Sequence, residues 1–324
     1  MAIASPFFSV VVPLFDKGPF ISMTLDSALA QSLDDFEIVV VDDGSNDDGP
    51  AQVVAMNDPR VRLLRQDNAG VARARNRGIA EAEGAWIAFL DGDDLWAPDH
   101  LSELCAIADR FPEAKMIGTR CRDIASARCQ MESFGERELR RVNFLREVAD
   151  DVPPFHTSSL AIERVTLEKA EGFKPLRIGE DRELFARIAL AHPVAASSRV
   201  TSGYRQETGG IMDQNKRRWR ADALRTAADV APAVATVLEA RKDATDVRLR
   251  EDIDRFVDRY VGFVVSSAVV YEDVDLLRKA GSLFRRSPTA KQRRYLMIAS
   301  LPRWLAGLML KLRSLAATGS RRLR

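Results

Sequence analysis

Three aspartates crowd one short stretch. In AWIAFLDGDDLWAPD, Ala85 to Asp99, an apolar run ends at Leu90, and Asp91, Asp93 and Asp94 follow within four residues. Asp-Gly is turn chemistry, and Asp starts helices well, with Pro98 suited to a first helical turn. Those uses account for one or two acids. A third sets like charges side by side, where each raises the pKa of the others unless something positive sits between them. A cation is the natural complement. A second acid pair, Asp42 and Asp43 in VVVDDGS, follows another buried-looking run, and a third, Glu180 and Asp181, opens GEDRELFARIALAHP. One carboxylate can accept from a base N–H or a ribose hydroxyl, while another binds a hard divalent cation such as Mg²⁺ or Mn²⁺ through oxygen. Such a cation would hold a diphosphate. NAGVARARNRG adds Gly70 and Arg73, Arg75 and Arg77 around a helix start, where backbone N–H groups and guanidinium forks suit anionic oxygens. Arg73 and Arg77, one turn apart, also read as a solvated face.

The elements that must position these residues alternate. From Phe8 to about Gly118, short β-branched runs alternate with longer helical periods, the pattern of β-α units around a mostly parallel sheet. FFSVVVP and FEIVVVDD are the clearest buried strands; VRLLRQ and AWIAFL follow as third and fourth. The loops leaving their carboxyl ends share one rim, where open α/β sheets bind ligands. Beyond it, RELRRVNFLREV reads as a surface helix, HTSSLAIERVTLEKAEGF as strand, short helix and stop, and VAASSRVTSGYR as a last strand. The resulting expectation is a sheet domain over residues 1–215, with halves of about 1–118 and 119–215, and a helical extension over 216–324.

Composition supports a folded globule. With 324 residues and 46% hydrophobic content the chain can bury a substantial core, and a formal charge of +1 gives no global field for nucleic acid. Cys105, Cys121 and Cys129 form no CxxC pair, which suits a reducing compartment. The opening MAIASPFFSVVVP lacks a basic start and enters a strand pattern at once, unlike a secretory signal. A cytoplasmic location is expected. From Gly281 to Arg324 there are eleven Lys or Arg and no Asp or Glu, interleaved with YLMIASLPRWLAGLMLKL. Pro302, Arg303 and Lys311 break that run, which argues against a transmembrane helix. Two readings stand: a basic amphipathic segment lying on an anionic membrane, at the inner face of the plasma membrane, or a helix packed on the fold with solvated charges.

From Phe8 to about Tyr204 the sequence resembles the family 2 inverting glycosyltransferases with the GT-A fold. The resemblance rests on ordered motifs: SVVVPLFDKGPFISMTLDSALAQSLDDFEIVVVDDGSNDDG, then RQDNAGVARARNRGIAEAEGAWIAFLDGDD with its Asp-x-Asp, then GFKPLRIGEDRELFARIA. It implies a Rossmann-like α/β sheet flanked by helices, and transfer of a sugar from a nucleotide diphosphate to a hydroxyl. It further implies that Phe15 stacks on the base, that Asp43 with Asp42 recognises it, and that Asp91 lies near the ribose or metal. Asp93 would hold Mn²⁺ or Mg²⁺ on the diphosphate, and Asp181, beside Glu180, would be the general base. Pro13, Gly70, Arg75 and Gly92 complete the expected nucleotide-sugar site, with Gly92 letting the backbone turn between Asp91 and Asp93. Asp94 reads as a supporting or capping acid. Inversion gives the base an independent rationale, because the acceptor hydroxyl must lose its proton on the face opposite the leaving diphosphate. A partly desolvated carboxylate near other acids is a better base.

Two departures stand out. Leu14-Phe15-Asp16 replaces a common Ser-Tyr-Asn, keeping a ring without the phenol. GYRQETGG offers Gln206 and Glu207 where many relatives place a His after Tyr-Arg. The three histidines supply no metal cluster: His100 is expected on a helix surface, His156 along the acceptor side, and His192 at a helix end before Pro193. The resemblance therefore implies a metal-dependent transferase that takes a nucleoside-diphosphate sugar, such as a UDP-sugar, and acts on a glycan or lipid-linked acceptor in surface polysaccharide synthesis, with no nucleic-acid partner. A sugar nucleotidyltransferase is the enzymatic alternative, although VVPLFDKGPF lacks its Gly-rich phosphate loop. An inactive glycosyltransferase-like membrane adaptor is the non-enzymatic one.

Overall fold

The computed structural model describes residues 7–125, 127–128, 130–150, 155–206, 208, 221–286 and 288–311. The first residues of the chain, Cys129, Glu207, the expected boundary near Lys216 and the basic residues from Arg313 onward lie outside the described residues. The chain divides into two compact units, Met1–Phe144 with Pro153–Gly210, and Leu145–Val152 with Ile211–Arg324.

The first unit is built on nine strands: β1 (Phe8–Leu14), β2 (Phe36–Asp42), β3 (Val61–Arg65), β4 (Trp86–Phe89), β5 (Leu95–Trp96), β6 (Met116–Ile124), β7 (Leu139–Val142), β8 (Leu160–Glu163) and β9 (Val194–Arg205). They form one sheet in the order β3-β2-β1-β4-β8-β6-β9-β5, with β7 paired to β9. The helices are α1 (Gly18–Leu29), α2 (Gly49–Met56), α3 (Val71–Glu81), α4 (His100–Arg110), α6 (Arg164–Lys169) and α7 (Glu180–Ala191), while α5 (Phe144–Ala149) belongs to the second unit from Leu145 on. The near-continuous apolar runs of β1 and β2 suit strands covered on both faces. Val10 and Val12 pack with Ile21 and Leu25 of α1 in one cluster, and Val39 and Val41 with Ala74 of α3 in another.

Strands β1 to β4 are parallel, and Leu14 is level with Asp42 across the β1–β2 pair. The loops after β1, β2 and β4 therefore emerge on one rim. Beyond β4 the sheet is mixed: β8 runs antiparallel to β4 and β6, whereas β6 and β9 are parallel. RELRRVNFLREV is not one helix. Leu139–Val142 pairs antiparallel with β9, Val142 opposite Val194, and helix α5 begins only at Phe144. The backbone edge of β9 takes up those four residues, and tertiary pairing overrides a weak helical period.

In the second unit the described helices are Pro232–Asp243, Val247–Val270, Val274–Gly281 and Ala290–Ser300, and residues 303–311 are also helical. Ile253, Phe256, Val257, Val261, Leu276 and Leu277 are buried. Arg146 of α5 pairs with Asp252 at 2.9 Å, and Arg241 forks onto Asp254 with both contacts at 2.8 Å. Among the described residues, no helix is long and apolar enough to cross a membrane. Met297, Trp304, Leu308 and Met309 are exposed, Trp304 to 73%.

Candidate functional site

The rim gathers the acids. After β1 the chain turns through Phe15, 43% exposed, and Asp16, whose φ is +49°. Asp16 Oδ1 accepts from Asn46 N at 2.8 Å, so the loops after β1 and β2 are laced together. Asp42 Oδ1 accepts from Ser45 N at 2.9 Å. Asp43, nearly buried, accepts on Oδ1 from Gln66 Nε2 at 2.7 Å and Ala69 N at 2.9 Å, and on Oδ2 from Gly70 N at 2.8 Å. A carboxylate offers about four lone-pair sites, so Asp43 organises the 66–70 loop and keeps little capacity for another donor. Gly70 precedes α3 with φ +90°, where a side chain would be strained.

Asp91 to Asp94 form a loop held from three sides. Thr24 of α1 donates to Gly92 O at 3.2 Å and Asp94 O at 2.9 Å. Ser158 accepts from Asp91 N and donates to Asp94 Oδ2. From β9, Arg205 donates through Nε to Asp93 O at 2.7 Å and through its backbone N to Asp94 Oδ1 at 3.0 Å. The backbone does turn at Gly92, where Asp94 N donates to Asp91 O at 3.0 Å, but without a left-handed φ. It is small because β1 passes close by: a Cβ there would stand 3.1 Å from Pro13 O. Asp94 is fully buried. Burial, with the charges of Asp91 and Asp93, pushes its carboxyl well above the usual range, against the bonds from Ser158 and Arg205.

Arg75 joins three sequence motifs. From α3 it is buried, and it reaches Asp91 Oδ1 through Nη2 at 2.6 Å and Glu180 Oε1 through Nη1 at 2.9 Å. Its guanidinium also lies over the Phe173 ring at 5.3 Å. Burial works against the charge, but Asp91 and Glu180 outweigh it and hold the pKa above its ordinary value. Burial would raise the Asp91 carboxyl, and Arg75 carries it below the usual range instead. Both forks of Arg75 thus end on carboxylates rather than standing open to an anion. Arg73 and Arg77 are exposed.

Helix α7 starts on Gly179, φ +80°, and its first turn carries Glu180, Asp181 and Glu183, where the helix N-terminus favours negative charge. Glu180 is buried; burial and the charge of Asp181 raise its pKa, with Arg75 opposing. Asp181 is half-buried, and its Oδ2 is 3.4 Å from Thr157 Oγ1. His156 stands nearby, its ring 4.5 Å from that of Tyr204 and its Nδ1 3.9 Å from Asp94 Oδ2. Burial lowers its pKa, while Asp91 and Asp181 push the other way.

His100 corrects an expectation. It is fully buried rather than on a helix surface, stacked 4.3 Å from Trp96, with Nδ1 2.7 Å from Thr201 Oγ1. The first turn of α4 packs under the rim, and the amphipathic period of that helix does not tell a buried imidazole from an exposed one.

Lys17, Thr24, Ser158 and Arg205 also build the site, beyond the residues expected from the sequence. Lys17 Nζ lies 2.5 Å from Asp93 Oδ2. Lys17 and Arg205 stand inside quoted motifs, and a basic residue beside an acid-rich rim was the available signal. Thr24 and Ser158 carry none that survives without the fold. Among the described residues, no three His, Cys, Asp or Glu side chains converge as a metal site.

Residues 9–155 match the family model described as Glycosyl transferase family 2. Over 216 residues the chain is 36% identical to the succinoglycan biosynthesis protein ExoO of Rhizobium meliloti (strain 1021), covering 61% of this chain and 60% of that protein. It is 44% identical over 91 residues to the uncharacterized glycosyltransferase EpsJ of Bacillus subtilis (strain 168), covering 28% and 26%. The chain thus spans 60% or less of the length of these two relatives. S. aureus TarS 1-349, solved with UDP-GlcNAc, aligns with a TM-score of 0.67 at 19% identity over 97% of this chain and 92% of that one. The mannosyltransferase PcManGT from Pyrobaculum calidifontis, solved with GDP-Man and Mn²⁺, gives 0.60 at 20% identity over 96% and 87%. At such identities the likeness is one of fold, and the mixed nine-strand α/β sheet resembles the GT-A fold of TarS.

Proposed function

We propose, from the premise that the chain belongs to glycosyl transferase family 2 through residues 9–155, that it moves a sugar, with inversion, from a UDP-sugar to a hydroxyl of a glycan or lipid-linked acceptor in surface polysaccharide synthesis. One observation carries this reading: Arg75 gathers Asp91 and Glu180 at a single guanidinium, so the Asp-x-Asp loop and the Glu-Asp helix form one charge-compensated site. The sheet domain over residues 1–215 would hold both substrates, with 216–324 as a helical extension.

In this reading Phe15 stacks on the base, and Asp42 and Asp43 shape its edge by ordering the loops around it. Pro13, Gly70 and Gly92 let the backbone approach the nucleotide, and Asp91 stands toward the ribose. Asp181, with one oxygen beside Thr157 and the other accepting from Arg182 N, takes the acceptor proton. Glu180 positions that helix turn through Arg75. The residues present suit a hard divalent ion. Asp93 turns a carboxylate oxygen toward a cation already, the Lys17 ammonium, and Mg²⁺ needs only one or two carboxylates when phosphates supply the rest. Asp93, with Asp91, would hold Mn²⁺ or Mg²⁺. When bound, such an ion stabilises charge developing on the departing diphosphate.

The name of ExoO supports polysaccharide synthesis, and the ligands of TarS and PcManGT support a nucleotide-sugar donor. The exposed apolar residues of the C-terminal helices, with Arg294 and Lys311 in the same segment, support a peripheral contact with anionic lipid at the cytoplasmic face. A thermal-shift panel of nucleotide sugars with and without Mn²⁺ tests the donor, because a ligand bound only by the native state raises its melting temperature. Stabilisation by UDP or a UDP-sugar is expected, and no response to any nucleotide would remove the reading.

A further inference from the structure

Lys17 stands at the N-cap of α1. An ammonium there meets the positive end of a helix, an arrangement that is unfavourable without an anion beside it. Asp47 Oδ2 accepts from Gly18 N at 2.7 Å at that helix start, and the ammonium itself meets Asp93, Nζ lying 2.5 Å from Oδ2 with the two side chains 18% and 13% exposed. The same ammonium donates to Thr208 O and Oγ1 at 3.3 Å. The pair is largely withdrawn from water, where charges are screened less than on the surface. Its carboxylate is also the one best suited to a divalent ion. An oxygen in contact with an ammonium does not also take Mg²⁺ at about 2.1 Å without two cations meeting at close range.

We propose that Lys17 is a tethered counter-cation that keeps Asp93 closed to free metal and yields it only when a divalent ion arrives with a diphosphate. The proposal rests on the nucleotide-sugar reading above. Once Asp93 turns to the ion, the diphosphate takes over the Lys17 ammonium, while Gly18 N at the start of α1 stays with Asp47 Oδ2 at 2.7 Å. Metal and nucleotide binding are then coupled, and the coupling is reciprocal: each raises affinity for the other by the same factor. In the substrate-free protein the ion pair fills the place of the metal, so Asp93 is not left as an uncompensated acid beside Asp91 and Asp94. Lys17 is a positioning residue in this scheme, acting through Asp93.

The test counts bound Mn²⁺ by electron paramagnetic resonance, alone and with UDP, in the folded full chain. Wild type should bind Mn²⁺ more than about tenfold more tightly with UDP than without it. Lys17→Met should bind Mn²⁺ alone roughly tenfold more tightly than wild type, and its UDP effect should shrink by that factor, keeping the part owed to phosphate oxygens on the ion. Lys17→Arg should stay weak for Mn²⁺ alone, and adding Asp93→Asn to Lys17→Met should erase the gain. Equal affinity of wild type and Lys17→Met for Mn²⁺ alone overturns the proposal. Binding of UDP by both proteins with Mn²⁺ bound by neither also overturns it, making the ion pair permanent while the nucleotide site stands. Absence of UDP binding in wild type removes the underlying reading, and this proposal with it.

Discussion

Arg75 Nη1 lies 2.9 Å from Glu180 Oε1, joining residues 105 positions apart inside the protein. Glu180 would otherwise be a buried acid at the start of α7, and Arg75 a buried cation on α3. Removing one partner of such a pair leaves the other uncompensated, at a cost of about 3–5 kcal/mol. Arg75→Met should therefore lower the unfolding free energy by about that amount in a urea titration. Adding Glu180→Gln should recover part of the loss, because one stranded charge disappears. Strict additivity of the two substitutions would contradict the bridge.

Asp181 and Glu180 are adjacent but should separate functionally. Asp181→Asn keeps the shape and removes the base, so turnover should fall by about 10² to 10⁴ while UDP still raises the melting temperature. Glu180→Gln should chiefly cost stability. Wild-type turnover in Asp181→Asn would rule out its role as the base.

His100 makes stability pH-dependent. Burial lowers its pKa from 6.5 to about 3 in the folded protein, so the unfolded chain takes up the proton first as pH falls. Its contribution is intact above pH 6.5 and is lost as pH drops from 6.5 toward about 3. The slope is about 1.4 kcal/mol per pH unit for one proton. His100→Gln should flatten the stability curve in that window by about one proton. An unchanged slope would show that other groups carry the acid sensitivity.

Trp304 and Leu308 are exposed on the helical stretch 303–311. Cosedimentation of the protein with vesicles containing anionic lipid should fall with added salt, since the attraction is screened within a Debye length of about 10 Å at 0.1 M. It should fall again in a Trp304→Ser, Leu308→Ser variant, and should vanish when the residues after Gly281 are deleted. Binding indifferent to all three changes would leave the basic segment as a solvated surface.

Most of the parallel half of the sheet is legible in the sequence because β1, β2 and β4 are apolar runs buried on both faces, a pattern that needs no partner to be recognised. Asp91, Asp93 and Asp94 are legible as a charge conflict. Resolving that conflict takes Lys17 just before α1, Arg75 on α3 and the backbone N–H of Arg205 on β9, and no local pattern states which donor meets which acid. The same limit hid His100, whose partner Thr201 lies on β9. The strand at Leu139–Val142 escaped because it exists only where β9 offers an edge.

The segment Leu145–Val152 belongs to the second unit although the chain on either side of it belongs to the first. Synthesis from the N-terminus thus produces Arg146 long before its partner Asp252 leaves the ribosome. The buried side chains Leu145 and Val148 wait with it. A protein cut after residue 215 would carry that segment permanently without its own unit, so such a fragment should need help to stay soluble even if every residue of the sugar-transfer site is present.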